Sequence, residues 1–168
     1  MEQTTSNNMG HIITESYKGK SDHPEFMSYL RGEHGDGVGV ITGQIMQRWV
    51  EELIISEGYA CCFPIIAIND EKKAQMIHVS RDPWRPTNTD DYLQKLNEWK
   101  DNGCDVCMLR TTKSAVGNDE NMMLEMFGDK FMSINLDTDS RFGVIVDVKQ
   151  RLLIVQLTDL KELKKYNI

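Results

Sequence analysis

Apolar residues along this 168-residue chain recur with two periods, and the changes between them mark out the expected elements. Ile45, Met46, Trp49, Val50, Leu53 and Ile54 fall three and four apart. A helix is therefore expected over 42–55, with Thr42 as its cap and Gly58 suited to its C-terminal stop. Tyr92, Leu93, Leu96 and Trp99 repeat the spacing and predict a second helix over 89–102, closed by Gly103. A third is expected behind a cap at Asn118 or Asp119, with Met122, Met123, Met126 and Phe127 inward and Gly128 as terminator. Phe26, Tyr29 and Leu30 suit a short helix, and residues 158–166 a short charged one. Continuous apolar runs read instead as strands. Two of them, opened by Cys61 and closed by Val79, flank the polar break 69–73 and predict a hairpin. Others cover 104–110, 131–136, 142–148 and 151–157, the last two joined at Lys149-Gln150.

Less regular stretches come first in the chain. Residues 1–10 look like a frayed start, and Ile12 and Ile13 suit a short strand. Five glycines between Gly32 and Gly43 have neither a P-loop ending nor the dinucleotide-binding spacing, so a glycine-rich loop or short strand is expected. No repeat, linker or low-complexity tract interrupts the rest. The expectation is one α/β domain over 11–168.

Composition narrows the class. The length allows a real core without staples. A net charge of −7 argues against broad capture of nucleic acid or an anionic membrane, which needs a basic surface. No apolar run has bilayer-crossing length, and the polar N-terminus lacks an export pattern, so a cytoplasmic protein is expected. Delivery into a host cell by a specialised secretion system is compatible with the same features. Four cysteines are too few for a disulfide framework, and reduced thiols are the default.

The doublet Cys61-Cys62 and the single His78 carry the candidate chemistry. Folding at 69–73 makes a thiol and an imidazole sixteen or seventeen positions apart into neighbours. Such a pair is what a cysteine nucleophile requires, because the thiolate attacks and a nearby histidine lowers its pKa or takes its proton. The plain alternative is core packing, since cysteine often behaves as a small hydrophobe. Adjacent strand residues face opposite sides, so at most one of the two can face His78. The alternation of apolar residues does not choose between them. Cys104-x-x-Cys107 invites a redox or zinc reading, but it lies within an expected strand, where i and i+3 face opposite sides. Adjacent cysteines would also make an awkward second chelating pair. No metal or cofactor is expected. His11, His23 and His34 read as surface residues, and Met122, Met123 and Met126 as core.

The order of elements resembles a known family. A glycine-containing lead-in, a Cys strand, a hairpin to His, a Tyr/Leu helix ending in Gly and a further strand are similar to the bacterial chemoreceptor glutamine deamidases. So are the asparagine-capped helix, the acidic segment 136–142 and the closing hairpin. The likeness is clearest from Gly58 to Val155, roughly three-fifths of the chain, with Asn69-Asp70-Glu71-Lys72-Lys73 and His78-Val79 as particular echoes. The catalytic domains of cytotoxic necrotizing factors and related toxin deamidases share that fold and thiol–imidazole pair. The resemblance implies a single-domain layered α/β sandwich with mixed, largely antiparallel sheets and flanking helices. It implies a hydrolase that deamidates a glutamine of a partner protein without a cofactor, with His78 as base and Cys62 or Cys61 as nucleophile. Family members often place a hydroxyl residue six positions before the thiol. Ser56 stands six before Cys62, which favours Cys62. The small dipeptide that precedes the family nucleophile is Ala60-Cys61 here, and the glycine pair of the late acidic turn is missing. The alternatives are a catalytically silent binding module, and a cysteine protease or acyl transferase.

Overall fold

The computed structural model describes residues 23–168. The frayed start, the strand at Ile12 and Ile13 and the residue His11 lie outside the described residues. Within them the protein is mixed α/β, with two mixed sheets and three α-helices. By compactness the described residues fall into two units, one holding residues 23–41, 50–59 and 140–168, the other residues 42–49 and 60–139. No helix among the described residues is long and apolar enough to cross a membrane.

The first unit contains helix α1 (Pro24–Leu30) and strands β1 (Gly37–Gly39) and β2 (Leu53–Tyr59). The second contains β3 (Phe63–Ile68), β4 (Ala74–Val79), α2 (Thr89–Asp101), β5 (Asp105–Arg110), α3 (Asp119–Phe127) and β6 (Phe131–Asn135). The chain returns to the first unit with β7 (Phe142–Asp147), β8 (Leu152–Leu157) and β9 (Glu162–Asn167).

In the first unit the sheet order is β1-β2-β7-β8-β9, antiparallel except where β1 runs parallel to β2. Phe26, Tyr29 and Leu30 of α1 pack on Leu53, Ile55, Ile145 and Ile154. The hairpin between β7 and β8 closes through residues 148–151, with Arg151 at positive φ and its N–H donating to the Val148 carbonyl at 3.1 Å.

Two sequence expectations fail here. Residues 42–55 are not a helix: the segment 43–46 runs along the edge of β4, and Leu53 begins a strand. The spacing of Ile45 to Ile54 suits a helix, but Leu53-Ile54-Ile55 is a run buried on both faces, which a central strand requires. Backbone bonds to β4 occupy the groups a helix would have used, including Gly43 N–H to the His78 carbonyl and Met46 N–H to the Met76 carbonyl. Gly58, expected as a helix stop, has φ +83° at a β-bulge between Ser56 and Tyr59. Residues 158–166 likewise do not form a helix. Lys161 turns at positive φ, and β9 pairs along the whole of β8, so an available sheet edge outweighs the local preference of Glu, Leu and Lys for helix.

The second unit builds on the expected hairpin. Asn69 fixes its turn, with its Oδ1 accepting from Glu71 N–H at 3.0 Å and Lys73 N–H at 2.9 Å. The sheet order is β4-β3-β5-β6, with β6 parallel to β5. Both helices pack on one face. Tyr92, Leu96 and Trp99 of α2 and Met123 and Phe127 of α3 bury against Phe63, Ile65, Ala67, Ile77, Val79, Val106 and Met108. The Asn88 side chain caps α2 by accepting from Asp91 N–H at 3.0 Å. Gln75 points to this face, and its Oε1 accepts from Trp99 Nε1–H at 2.8 Å, which ties helix to sheet.

Candidate functional site

The register of the hairpin decides what alternation in the sequence left open. Phe63 stands opposite Val79 and Pro64 opposite His78, and Phe63, Ile65, Ile77 and Val79 take the helix face. Pro64 and His78 therefore belong to the other face. One step beyond the last pair, Cys62 is level with Ser80, and the Ser80 side chain hydrogen-bonds the Cys62 thiol. Cys62, Pro64, His78 and Ser80 thus share one face at the end of the hairpin. Cys62 and His78 are diagonal neighbours across the strand pair rather than directly opposed. Strand geometry sets such positions roughly 7–8 Å apart between Cα atoms.

Accessibility differs sharply along this row. Cys61 is exposed and Cys62 half-buried, whereas His78 is fully buried. The backbone of His78 is held on both sides: its N–H donates to the Gln44 carbonyl at 3.0 Å, and its carbonyl accepts from Gly43 N–H at 2.9 Å. Removal from solvent pushes the Cys62 thiol above its ordinary pKa. The Ser80 hydroxyl counteracts by donating toward the sulfur, while Cys61 and Asp82 add further upward pressure as neighbouring negative charge.

A polar cluster without a clear signature in the sequence braces the thiol segment. Arg81 follows Ser80, and its Nη1 donates to the Ala115 carbonyl at 2.6 Å. Its Nη2 donates to the buried Asp119 carboxylate at 2.9 Å, and its guanidinium lies 5.8 Å from the centre of the Phe63 ring. Ala115 N–H in turn donates to the Cys61 carbonyl at 2.8 Å. Asp119 also accepts from the Tyr92 hydroxyl at 2.9 Å, and burial with the adjacent carboxylate raises the Tyr92 pKa strongly. The loop 111–117 is thereby tied to the doublet. Local periodicity carries no trace of a contact between residues 34 or 38 positions apart.

The remaining sequence candidates are placed as follows. Ser56 belongs to the first unit and is fully buried; its hydroxyl donates to the Val40 carbonyl at 2.8 Å and lies 2.6 Å from the Tyr59 hydroxyl. Cys104 and Cys107 are both buried, and burial pushes their thiols up to about 11 and about 12. No group of three or more His, Cys, Asp or Glu residues suited to a metal ion occurs among the described residues. His23 caps α1, its Nδ1 accepting from Glu25 N–H at 3.3 Å, and His34 stacks on Tyr29 with 3.8 Å between ring centres.

The geometry describes a mixed α/β protein with an exposed Cys61 and a half-buried Cys62 at a hairpin end, and a buried imidazole two positions inward on the face of Cys62. No protein-family model matches the chain, and no curated protein matches it.

Proposed function

We propose that this protein is a thiol-dependent amidohydrolase that deamidates a glutamine on a partner protein, with Cys62 as nucleophile and His78 as base. The observation that carries the reading is the shared face of Cys62 and His78 at the hairpin end, where Cys62 is only half-buried. The finer fold, the layered sandwich of the chemoreceptor deamidases and necrotizing-factor catalytic domains, is part of this proposal. So is action in a cytoplasm, either that of the producing cell or that of a host.

In the proposed reaction, the Cys62 sulfur attacks the carboxamide carbon and its proton passes to His78. Backbone N–H groups of the thiol segment hold the oxyanion of the tetrahedral intermediate. Collapse breaks the C–N bond, and His78 gives its proton to the departing ammonia. Water, deprotonated by His78, then cleaves the thioester to yield glutamate and restore the thiol. Ser80 takes the orienting role beside the sulfur, and Ser56 supports its own sheet. Cys61 is the alternative nucleophile.

The test is ammonia release from a glutamine-bearing protein, together with a mass gain of about 1 Da per site from replacing NH₂ with OH. Cys62→Ala and His78→Ala should each reduce it to background. Undiminished release by either folded variant removes the proposal.

Two observations favour a second reading, a binding module without turnover. His78 is fully buried, and the Cys62 thiol is shifted away from the thiolate. Under that reading, wild-type protein releases no ammonia and yet retains a partner.

A further inference from the structure

The loop leaving β4 displays one side chain to an unusual degree. Trp84 is 91% exposed, against 54% for Leu160, the next most exposed large hydrophobic residue described. Its backbone is tightly held. Ser80 N–H donates to Thr87 Oγ1 at 2.8 Å, and Thr87 N–H returns to the Ser80 carbonyl at 2.8 Å. Asp82 N–H donates to Ser80 Oγ at 3.2 Å, Trp84 N–H to Asp82 Oδ1 at 3.0 Å and Arg85 N–H to the Asp82 carbonyl at 3.1 Å. Gly43 backs the loop with φ +83°; a Cβ there would lie 2.6 Å from the Arg85 carbonyl oxygen.

A ring on such a support loses little conformational freedom on binding, which is what makes a preorganised contact effective. Tryptophan and arginine are the residue types that most often carry the energy of protein–protein contacts. Arg81 is committed to Asp119 and Ala115, which leaves Arg85, exposed beside Trp84, as the cation offered to a partner. The base of the loop is Ser80, whose side chain bonds the Cys62 thiol, so loop and thiol share a residue.

We propose that loop 80–87 docks a polypeptide segment that packs an apolar side chain on Trp84 and pairs an acidic one with Arg85. Delivery of that segment to Cys62 rests on the deamidase reading; the docking itself does not.

The experiment measures binding of fluorescein-labelled β-casein, an acidic extended polypeptide, by anisotropy, with ammonia release followed in parallel. Trp84→Ala should weaken binding at least tenfold and Trp84→Phe much less. Arg85→Glu should weaken it and flatten its salt dependence. The rate at which iodoacetamide modifies Cys62 should change less than twofold in all three variants, which shows that the thiol segment is intact. Binding that ignores Trp84, or no measurable binding by the wild type, overturns the proposal. So does a single-stranded oligonucleotide that occupies Trp84 where casein does not. Trp84-dependent binding without ammonia release supports docking and removes the deamidase reading; ammonia release with Trp84-independent binding does the reverse.

Discussion

Four cysteines belong to the second unit of this protein, and they fall into two environments. Cys104 and Cys107, just before and within β5, are buried, and their thiols are pushed up to about 11 and about 12. Cys61 and Cys62 lie where the hairpin opens, the first exposed and the second half-buried against Ser80. Residue type is the same throughout, so reactivity here is a matter of position along a strand. In mid-sheet a thiol is wrapped by neighbours on both sides. At a strand end one side is open and hydroxyl and carboxyl groups replace aliphatic ones.

The most direct way to break the contrast is alkylation of the native protein. Iodoacetamide should modify Cys61 and Cys62 and leave Cys104 and Cys107 unmodified until urea unfolds the chain, a rate difference of about a hundredfold or more if exchange requires global opening. Peptide mass spectrometry reads the four sites separately, and equal labelling of Cys107 would erase the distinction.

Substitutions sharpen it next. Cys107→Ser places a hydroxyl among apolar groups and should cost about 1–3 kcal/mol in urea unfolding. Cys62→Ser, at the open end, should stay within about 0.5 kcal/mol. His78→Ala removes a fully buried ring from the same hairpin and should cost about 2–4 kcal/mol. Comparable losses for Cys62→Ser and Cys107→Ser would mean the two environments are alike.

Alkaline stability separates the pairs more gently. A thiol whose folded pKa is raised holds its proton more tightly in the native state than in the unfolded chain. Its stabilising contribution is complete below the unfolded value near 9 and is lost as pH climbs through about 11 to 12. Cys107→Val should therefore flatten the fall of unfolding free energy between pH 9 and 11. Tyr29 and Tyr92, also raised, act equally in both proteins and cancel.

The smallest expected effects tune Cys62 itself. Its alkylation should rise with pH to a midpoint above that of an ordinary thiol. Ser80→Ala removes the group that favours thiolate and should move the midpoint up; Asp82→Asn removes a repelling charge and should move it down. Rates at pH 7.5 should change about two- to threefold, as expected of single hydrogen bonds or charges near a partly solvated group. Shifts of the opposite sign would show that the thiol has other neighbours.

Elements with a strong local signature were legible. The 69–73 turn carries an asparagine placed to accept from two N–H groups, and the α2 segment pairs a clean apolar stripe with an asparagine cap and a following glycine. The segment 42–55 was misread because an apolar spacing of three and four does not exclude a strand preceded by an edge-pairing stretch. Gly58 was misread with it, since glycine serves a bulge as readily as a helix stop. The end of the chain was misread because the edge of β8 cannot be seen from residues 158–166.

The candidate site divides along the same line. Order along the chain was enough to put a thiol at the start of one strand, just before Phe63, and an imidazole on the adjoining one, because a short polar break between two apolar runs leaves an antiparallel return as the natural outcome. Which cysteine shares a face with His78, how deeply that ring is buried, and that Arg81 and Asp119 brace the doublet all depend on pairing register and on side chains meeting across tens of residues. Register follows from burying one face against helices that lie elsewhere in the sequence, so these features exist only once the chain has folded.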